Sequence, residues 1–298
     1  MRILSATMLC SILFFGAPVF AHETLVLQSF KAGPFDEALR GFKAVCRTET
    51  RTVIVSDGEK FDIGKTVREE KPGIILAIGA GALKQAIKIR NTPIIYLMVL
   101  NPEKVIRGRD NITGVRMIIP PEKHLDLIEK LNLPHLKVGI LYDPDHSDIV
   151  MKRITQSAAS RGIDIVAKEV RKPKDVPEML ERMKGSFNLF WMLPDPSVVT
   201  PDSVEYLLLF TQQLGVPIVT FANKYLEMGA MVSIEIDSFD LGKQGGEIAK
   251  RILGGERITD IPNTTARKSI IRVNRKIAAK LGINLNSLGP SVHTEMNP

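Results

Sequence analysis

The residues with chemical reach in this chain stand singly, each just past an apolar run. Ser29 closes TLVLQS, and Gly79-Ala80-Gly81 follow GIILAI. Asn101 follows PIIYLMV, and Tyr142 and Asp143, with Ser147, follow KVGIL. Asp195 comes after NLFWM, Phe221 and Asn223 after PIVT, and Asp237 after VSIEI. The hydroxyl of Ser29 and the N–H groups of residues 79–81 are suited to a carboxylate or another acceptor. Asp195 and Asp237 suit a cationic or hydroxyl group, and Tyr142 and Phe221 suit a flat body. Each position also fits a turn or a cap, and for Asp237 the N-cap role is an equal rival.

Familiar catalytic and cofactor patterns fail on spacing. Gly58 to Thr66 resembles a phosphate loop, but five residues separate its glycines instead of four, and Asp62 brings a negative charge. Gly79-Ala80-Gly81 begins like a dinucleotide fingerprint, but Lys84 stands where the third glycine belongs. The histidines at 22, 124, 135, 146 and 293 are scattered, with no cluster at ligand spacing. There is no G-x-S-x-G elbow. We therefore expect no catalytic residue, no metal and no cofactor.

Strands and helices must alternate to carry these residues. Strand-like runs lie at 24–29, 51–56, 73–78, 93–99 and 114–118, with helical segments at 35–45, 64–70 and 82–89 between them. The pattern restarts at 122–131 and runs to 217–221. The strands are nearly continuous Ile, Val and Leu, as parallel strands covered on both faces are. This predicts an α/β protein of two doubly wound parallel-sheet lobes, with ligands beyond the strand ends. Beyond 230, a strand at 231–236, a long helix at 239–253, a strand at 268–273 and a short helix at 276–281 precede a polar, frayed tail from 284.

Composition agrees. The chain has 298 residues, 44% hydrophobic and 24% charged, enough for about two domains. The net charge of +7 is dispersed and aromatics are 6%, so no basic stripe with stacking residues suggests nucleic acid. Arg2, an apolar stretch from residue 3 and Val19-Phe20-Ala21 read as a secretory signal cleaved after Ala21. Cys46 then has no intrachain disulfide partner.

Several segments resemble the ABC-transporter substrate-binding proteins of the tryptophan/tyrosine-type group. They are Phe35-Asp-Glu-Ala-Leu-Arg-Gly-Phe42, Ile75-Leu-Ala-Ile-Gly79, Thr92-Pro-Ile-Ile95, Asn111-Ile-Thr-Gly114, Leu141-Tyr-Asp-Pro144, Leu193-Pro-Asp195 and Gly215-Val-Pro-Ile218. Gly229-Ala-Met-Val-Ser233, Ile236-Asp237, Leu241-Gly242 and Ile252-Leu-Gly-Gly255 complete the series. The resemblance implies the type I periplasmic-binding fold with a hinge, lobe one spanning 22–118 plus 230–257 and lobe two 119–229 plus 258–298. It also implies a periplasmic protein that hands a small ligand, an amino acid or similar carboxylate, to an ABC permease in the inner membrane. A monomer is favoured. A periplasmic sensor feeding a receptor or kinase, and a periplasmic enzyme, are the alternatives. Where that family often has an acidic residue and an Asn-Ser pair after Tyr142, this chain has Asp145-His146-Ser147.

Overall fold

The computed structural model describes residues 24–55, 62–288 and 292–295. The leader at 1–21 and residues 58–61 of the phosphate-loop lookalike lie outside the described residues. Asp62 is described, and its carboxylate caps a helix by accepting from the Lys65 N–H at 3.0 Å.

The first half supplies β1 (Thr24–Gln28), α1 (Gly33–Val45), β2 (Thr50–Ile54), α2 (Ile63–Glu70), β3 (Ile74–Ile78), α3 (Ala80–Ala86), β4 (Ile94–Leu97), α4 (Glu103–Ile106) and β5 (Ile112–Arg116). The second supplies α5 (Pro121–Lys130), β6 (Lys137–Tyr142), α6 (Pro144–Ala159), β7 (Asp164–Glu169), α7 (Val176–Arg182), β8 (Leu189–Trp191), α8 (Pro201–Gln213), β9 (Ile218–Thr220) and α9 (Lys224–Glu227). The remainder holds β10 (Val232–Ile236), α10 (Ser238–Leu253), β11 (Thr264–Thr265), β12 (Ser269–Asn274), α11 (Arg275–Lys280) and β13 (Val292–Glu295).

Two sheets result. The first has the order β11-β5-β4-β3-β1-β2, and its pairs are parallel. The second has the order β13-β12-β10-β9-β8-β6-β7, parallel except where β10 meets β12. β1, β3 and β4 are buried along their whole length, which explains their unbroken apolar runs. Each sheet carries an apolar layer on both faces: the first around Phe42 and Leu241 and around Leu83 and Tyr96, the second around Leu125 and Trp191 and around Phe190 and Leu207.

The tail differs from the sequence reading. The strand at 232–236 does not join the first sheet; it pairs β9 and β12 in the second. The chain returns to the first lobe at Asp237, not near Ala230. It stays through β11, which pairs β5, and leaves again after Ala266, not near Arg257. Treating strand and following helix as one βα unit hid this, because the crossover falls between β10 and α10. Residues 292–295, expected to fray, pair β12 in parallel.

α10 belongs to the first lobe through backbone-close packing on α1. A Cβ on Gly242 would lie 1.9 Å from the Ala38 carbonyl oxygen, and one on Gly41 would lie 1.9 Å from that of Phe239. Gly246 meets Phe42 and Val45 in the same seam. Gly242→Ala must push the helices apart and is expected to cost about 1–3 kcal/mol, read as a lower urea midpoint. Arg267, at the second crossover, forks onto both carboxylate oxygens of Asp240 (2.8 and 3.2 Å) and both of Glu247 (3.0 and 2.9 Å). That ties the crossover to α10.

Candidate functional site

The strand orders place one topological switch point in each sheet. In the first, the chain moves outward on either side of β1 and β3; in the second, on either side of β6 and β8. Ligands of open α/β sheets bind beyond the strand ends at such points. Most of the sequence-predicted residues gather there.

At the first switch point Ser29 leaves β1 beside Gly79, which leaves β3. The Ser29 Oγ accepts from the Ala82 N–H at 2.9 Å, joining the two loops. Its own O–H remains to donate. Gly79 has φ +92°, and a Cβ there would fall 2.5 Å from Ser29 Oγ and 2.7 Å from the Phe35 ring. Glycine is therefore required by both conformation and space. The Gly79 N–H is already given to the Leu97 carbonyl at 2.9 Å, so of the three N–H groups expected to cradle an anion this one is spent. Ala80 is exposed and Gly81 half-buried. Asn101 is exposed in the loop after β4, where Asn101 and Met98 both hold left-handed backbone (φ 49° and 57°).

At the second switch point the carboxylates turn inward. Asp195 is 0% exposed. Its Oδ2 accepts from the Asp143 N–H at 2.8 Å and the Ser147 hydroxyl at 2.6 Å, and its Oδ1 from the Ser197 N–H at 2.9 Å. Asp195 thus staples the loop after β8 to the loop after β6. The expectation that it meets the ligand is corrected: burial and three donors leave it no face toward a solute. Ser147 is buried in the same staple. Asp143 is likewise engaged, accepting from the Ser197 hydroxyl at 2.6 Å and the Asp145 N–H at 3.0 Å. These bonds, with His146, hold its carboxyl below the usual carboxylate range.

Ser197, His146 and Asp143 form a trio of hydrolase-like composition but not of hydrolase-like order. The Ser197 O–H goes to Asp143, while its Oγ lies 3.4 Å from the same His146 Nδ1 that sits 3.2 Å from Asp143. Both groups compete for one carboxylate oxygen, so the imidazole is not a base poised on the serine.

Other predicted residues take mixed positions. The Tyr142 hydroxyl is 3.5 Å from Glu169, and burial followed by that carboxylate pushes its phenol up. Phe221 is half-buried, edge-on to Tyr225 at 5.4 Å. The Asn223 Oδ1 and the neighbouring Thr220 Oγ1 are buried without a hydrogen-bond partner. Asp237 is the N-cap of α10, accepting from the Asp240 N–H at 2.9 Å. Asp237→Ala is expected to cost about 1 kcal/mol in apo stability, measured by urea melts.

Sequence reasoning missed Phe30, 56% exposed and 4.7 Å from the Phe35 ring, and Leu100, 59% exposed. It also missed Ser197, and it met His146 only as a departure from the family pattern, not as a site residue. All four sit within a few residues of a strand end already singled out, which was the available signal. A groove of about 560 Å³ lined by Ala44, Val45, Cys46, Arg47, Thr48, Lys250 and Leu253 lies elsewhere, at the strand-start edge of the first sheet. Among the described residues no group of His, Cys, Asp and Glu could hold a metal, and no helix is long and apolar enough to cross a membrane.

Comparison with known proteins agrees with this architecture. A ligand-free, open structure of a substrate binding protein with adhesive properties from Clostridium difficile is 18% identical, covers 93% of this chain and 100% of that one, and superposes with a TM-score of 0.76. An ABC domain in complex with L-Trp from Streptococcus pneumonia is 20% identical, with coverage of 89% and 96% and a TM-score of 0.62. At these identities the likeness establishes the type I periplasmic-binding fold. A tyrosine-binding protein of Clostridioides difficile (strain R20291) is 23% identical over 214 residues, 69% of this chain. The chain spans 61% of that relative's length. The profile described as ABC transporter substrate binding protein matches residues 49–288, most of both sheets, and the chain belongs to that family.

Proposed function

We propose that this protein is an exported binding protein that captures a small solute, an amino acid or similar carboxylate, and delivers it to an ABC importer. The carrying observation is that each sheet's switch point has its two loops joined by a buried polar staple, Ser29 to Ala82 and Asp195 to Asp143 and Ser147. Such staples fix loop shape before ligand arrives, which lowers the ordering cost of binding. The Ser29 hydroxyl, with the backbone of Ala80 and Gly81, receives the carboxylate. Phe30, Phe221 and Tyr142 flank the body of the solute. Binding moves the population toward a closed form because only that form engages both loop sets. The lobes divide at the crossovers near 117–120, 237 and 267–268. Export is part of this reading and rests on the sequence of residues 1–21.

A thermal-shift screen of amino acids and small carboxylates tests it. A ligand at a hundred times its Kd stabilises the folded chain by about 2.7 kcal/mol, several degrees in Tm. A screen in which no solute moves the Tm would overturn the reading.

A further inference from the structure

The second switch point presents one exposed imidazole, and its hydrogen-bond partners fix which atom it offers. His146 is the third residue of α6, and its side chain is 37% exposed. Its Nδ1 lies 3.2 Å from Asp143 Oδ2. A carboxylate only accepts, so Nδ1 carries the hydrogen. In the neutral ring the other nitrogen, Nε2, is then an acceptor, directed away from the carboxylate. Asp143 is held in turn by Ser197 and by the Asp145 N–H, and the Asp195 staple fixes the loop that carries Ser197. The ring is therefore oriented by a buried relay of groups, as a working side chain is and a solvated surface histidine is not.

The surrounding charges favour a donor as its partner. The Asp143 carboxylate lies against its Nδ1. At the same strand ends, the carboxylates of Asp145 and Glu169 are answered by Arg171, at 3.2 and 3.8 Å. The buried Asn223 Oδ1, past the end of β9, is a second acceptor without a partner in the same lobe. The first switch point is of the opposite kind, offering the Ser29 O–H as a donor.

We propose that His146 is the specificity-determining residue of the second lobe: its Nε2 accepts a hydrogen bond from the donor end, ammonium or hydroxyl, of a solute whose carboxylate is held at Ser29. This deepens the solute-binding reading and rests on it. The site would then select polarised solutes, acceptor at one end and donor at the other, over simple acids of the same shape.

The test is calorimetric titration of wild type, His146→Leu and His146→Asn with L-tyrosine, L-tryptophan and L-leucine, and with the matching acids that lack the amino group. Tm values of the three proteins confirm that each is folded, as substitution at an exposed position should allow. In the wild type, at least one amino acid should bind 10- to 100-fold more tightly than its deamino partner. His146→Leu should erase that preference by weakening the amino acid alone. His146→Asn, which keeps an acceptor oxygen, should recover part of it. Equal binding of amino acid and deamino acid by the wild type, or an undiminished preference in His146→Leu, would overturn this inference and leave the solute-binding reading standing. No binding of any of these carboxylates to the wild type would overturn this inference, while the solute-binding reading is decided by the broader thermal-shift screen.

Discussion

Asp195→Leu is expected to lower the unfolding free energy by about 3–5 kcal/mol, the largest loss from a single polar side chain in the second lobe. The leucine is close in size, so little of the effect is a cavity. What it removes is the acceptor for three donors, the Asp143 and Ser197 N–H groups and the Ser147 hydroxyl, all at 2.6–2.9 Å. Buried N–H groups left without a partner cost about 1–3 kcal/mol each, and the Ser147 hydroxyl has some freedom to turn. Asp195→Asn keeps one acceptor oxygen and should fall between wild type and leucine. Urea unfolding of the ligand-free protein reads the effect. A variant with wild-type stability but lost affinity would instead place Asp195 against the solute.

Acidification should destabilise the protein through His124. This residue of α5 is buried against Trp191, with ring centroids 4.8 Å apart. Burial lowers its pKa from 6.5 to about 4. The unfolded chain takes up the proton below about pH 6.5, whereas the folded chain resists until about pH 4. Stability contributed by the neutral ring is therefore intact above pH 6.5 and is lost as pH falls toward 4, by about 3 kcal/mol over that window. His124→Phe retains an aromatic ring on Trp191 and removes the proton. Its stability should fall less steeply than wild type between pH 6.5 and 4, with carboxylate titrations common to both. Parallel curves would show that His124 charges as easily folded as unfolded.

The sheet cores were legible because burial on both faces writes itself as runs such as IILAI and KVGILY. β6 spans Lys137–Tyr142, the KVGIL run and one residue more. Several helices extend earlier than their periodicity suggested. α6 starts at Pro144, because Asp143 caps it and a proline fits its first turn, while its apolar stripe begins only further along. β10 was found as a strand but assigned to the wrong sheet. Its residues record that it is half-covered; which neighbour pairs with it depends on β12, some thirty residues later.

The site was legible by position and less so by role. The strand ends that singled out Ser29, Gly79, Asp143 and Asp195 lie at the two switch points. Nothing in a lone Asp after an apolar run distinguishes a carboxylate facing a solute from one folded back on N–H groups. That distinction arises from the partner loop, 48 residues away for Ser147 and Asp195. His146 stood out only as a departure from the family pattern and was given no role, because a single histidine has no spacing to read. Its orientation comes from Asp143 and Ser197, which the sequence keeps apart.

Hydrogen exchange with and without a solute from the thermal-shift screen tests the central claim most directly, since it reports both where the solute sits and whether two loop sets respond together. The account predicts slowed exchange in the loops after β1, β3 and β4 and, in the same sample, in those after β6, β8 and β9. Protection confined to one lobe, or centred on the groove formed by residues 44–48 with Lys250 and Leu253, would contradict it.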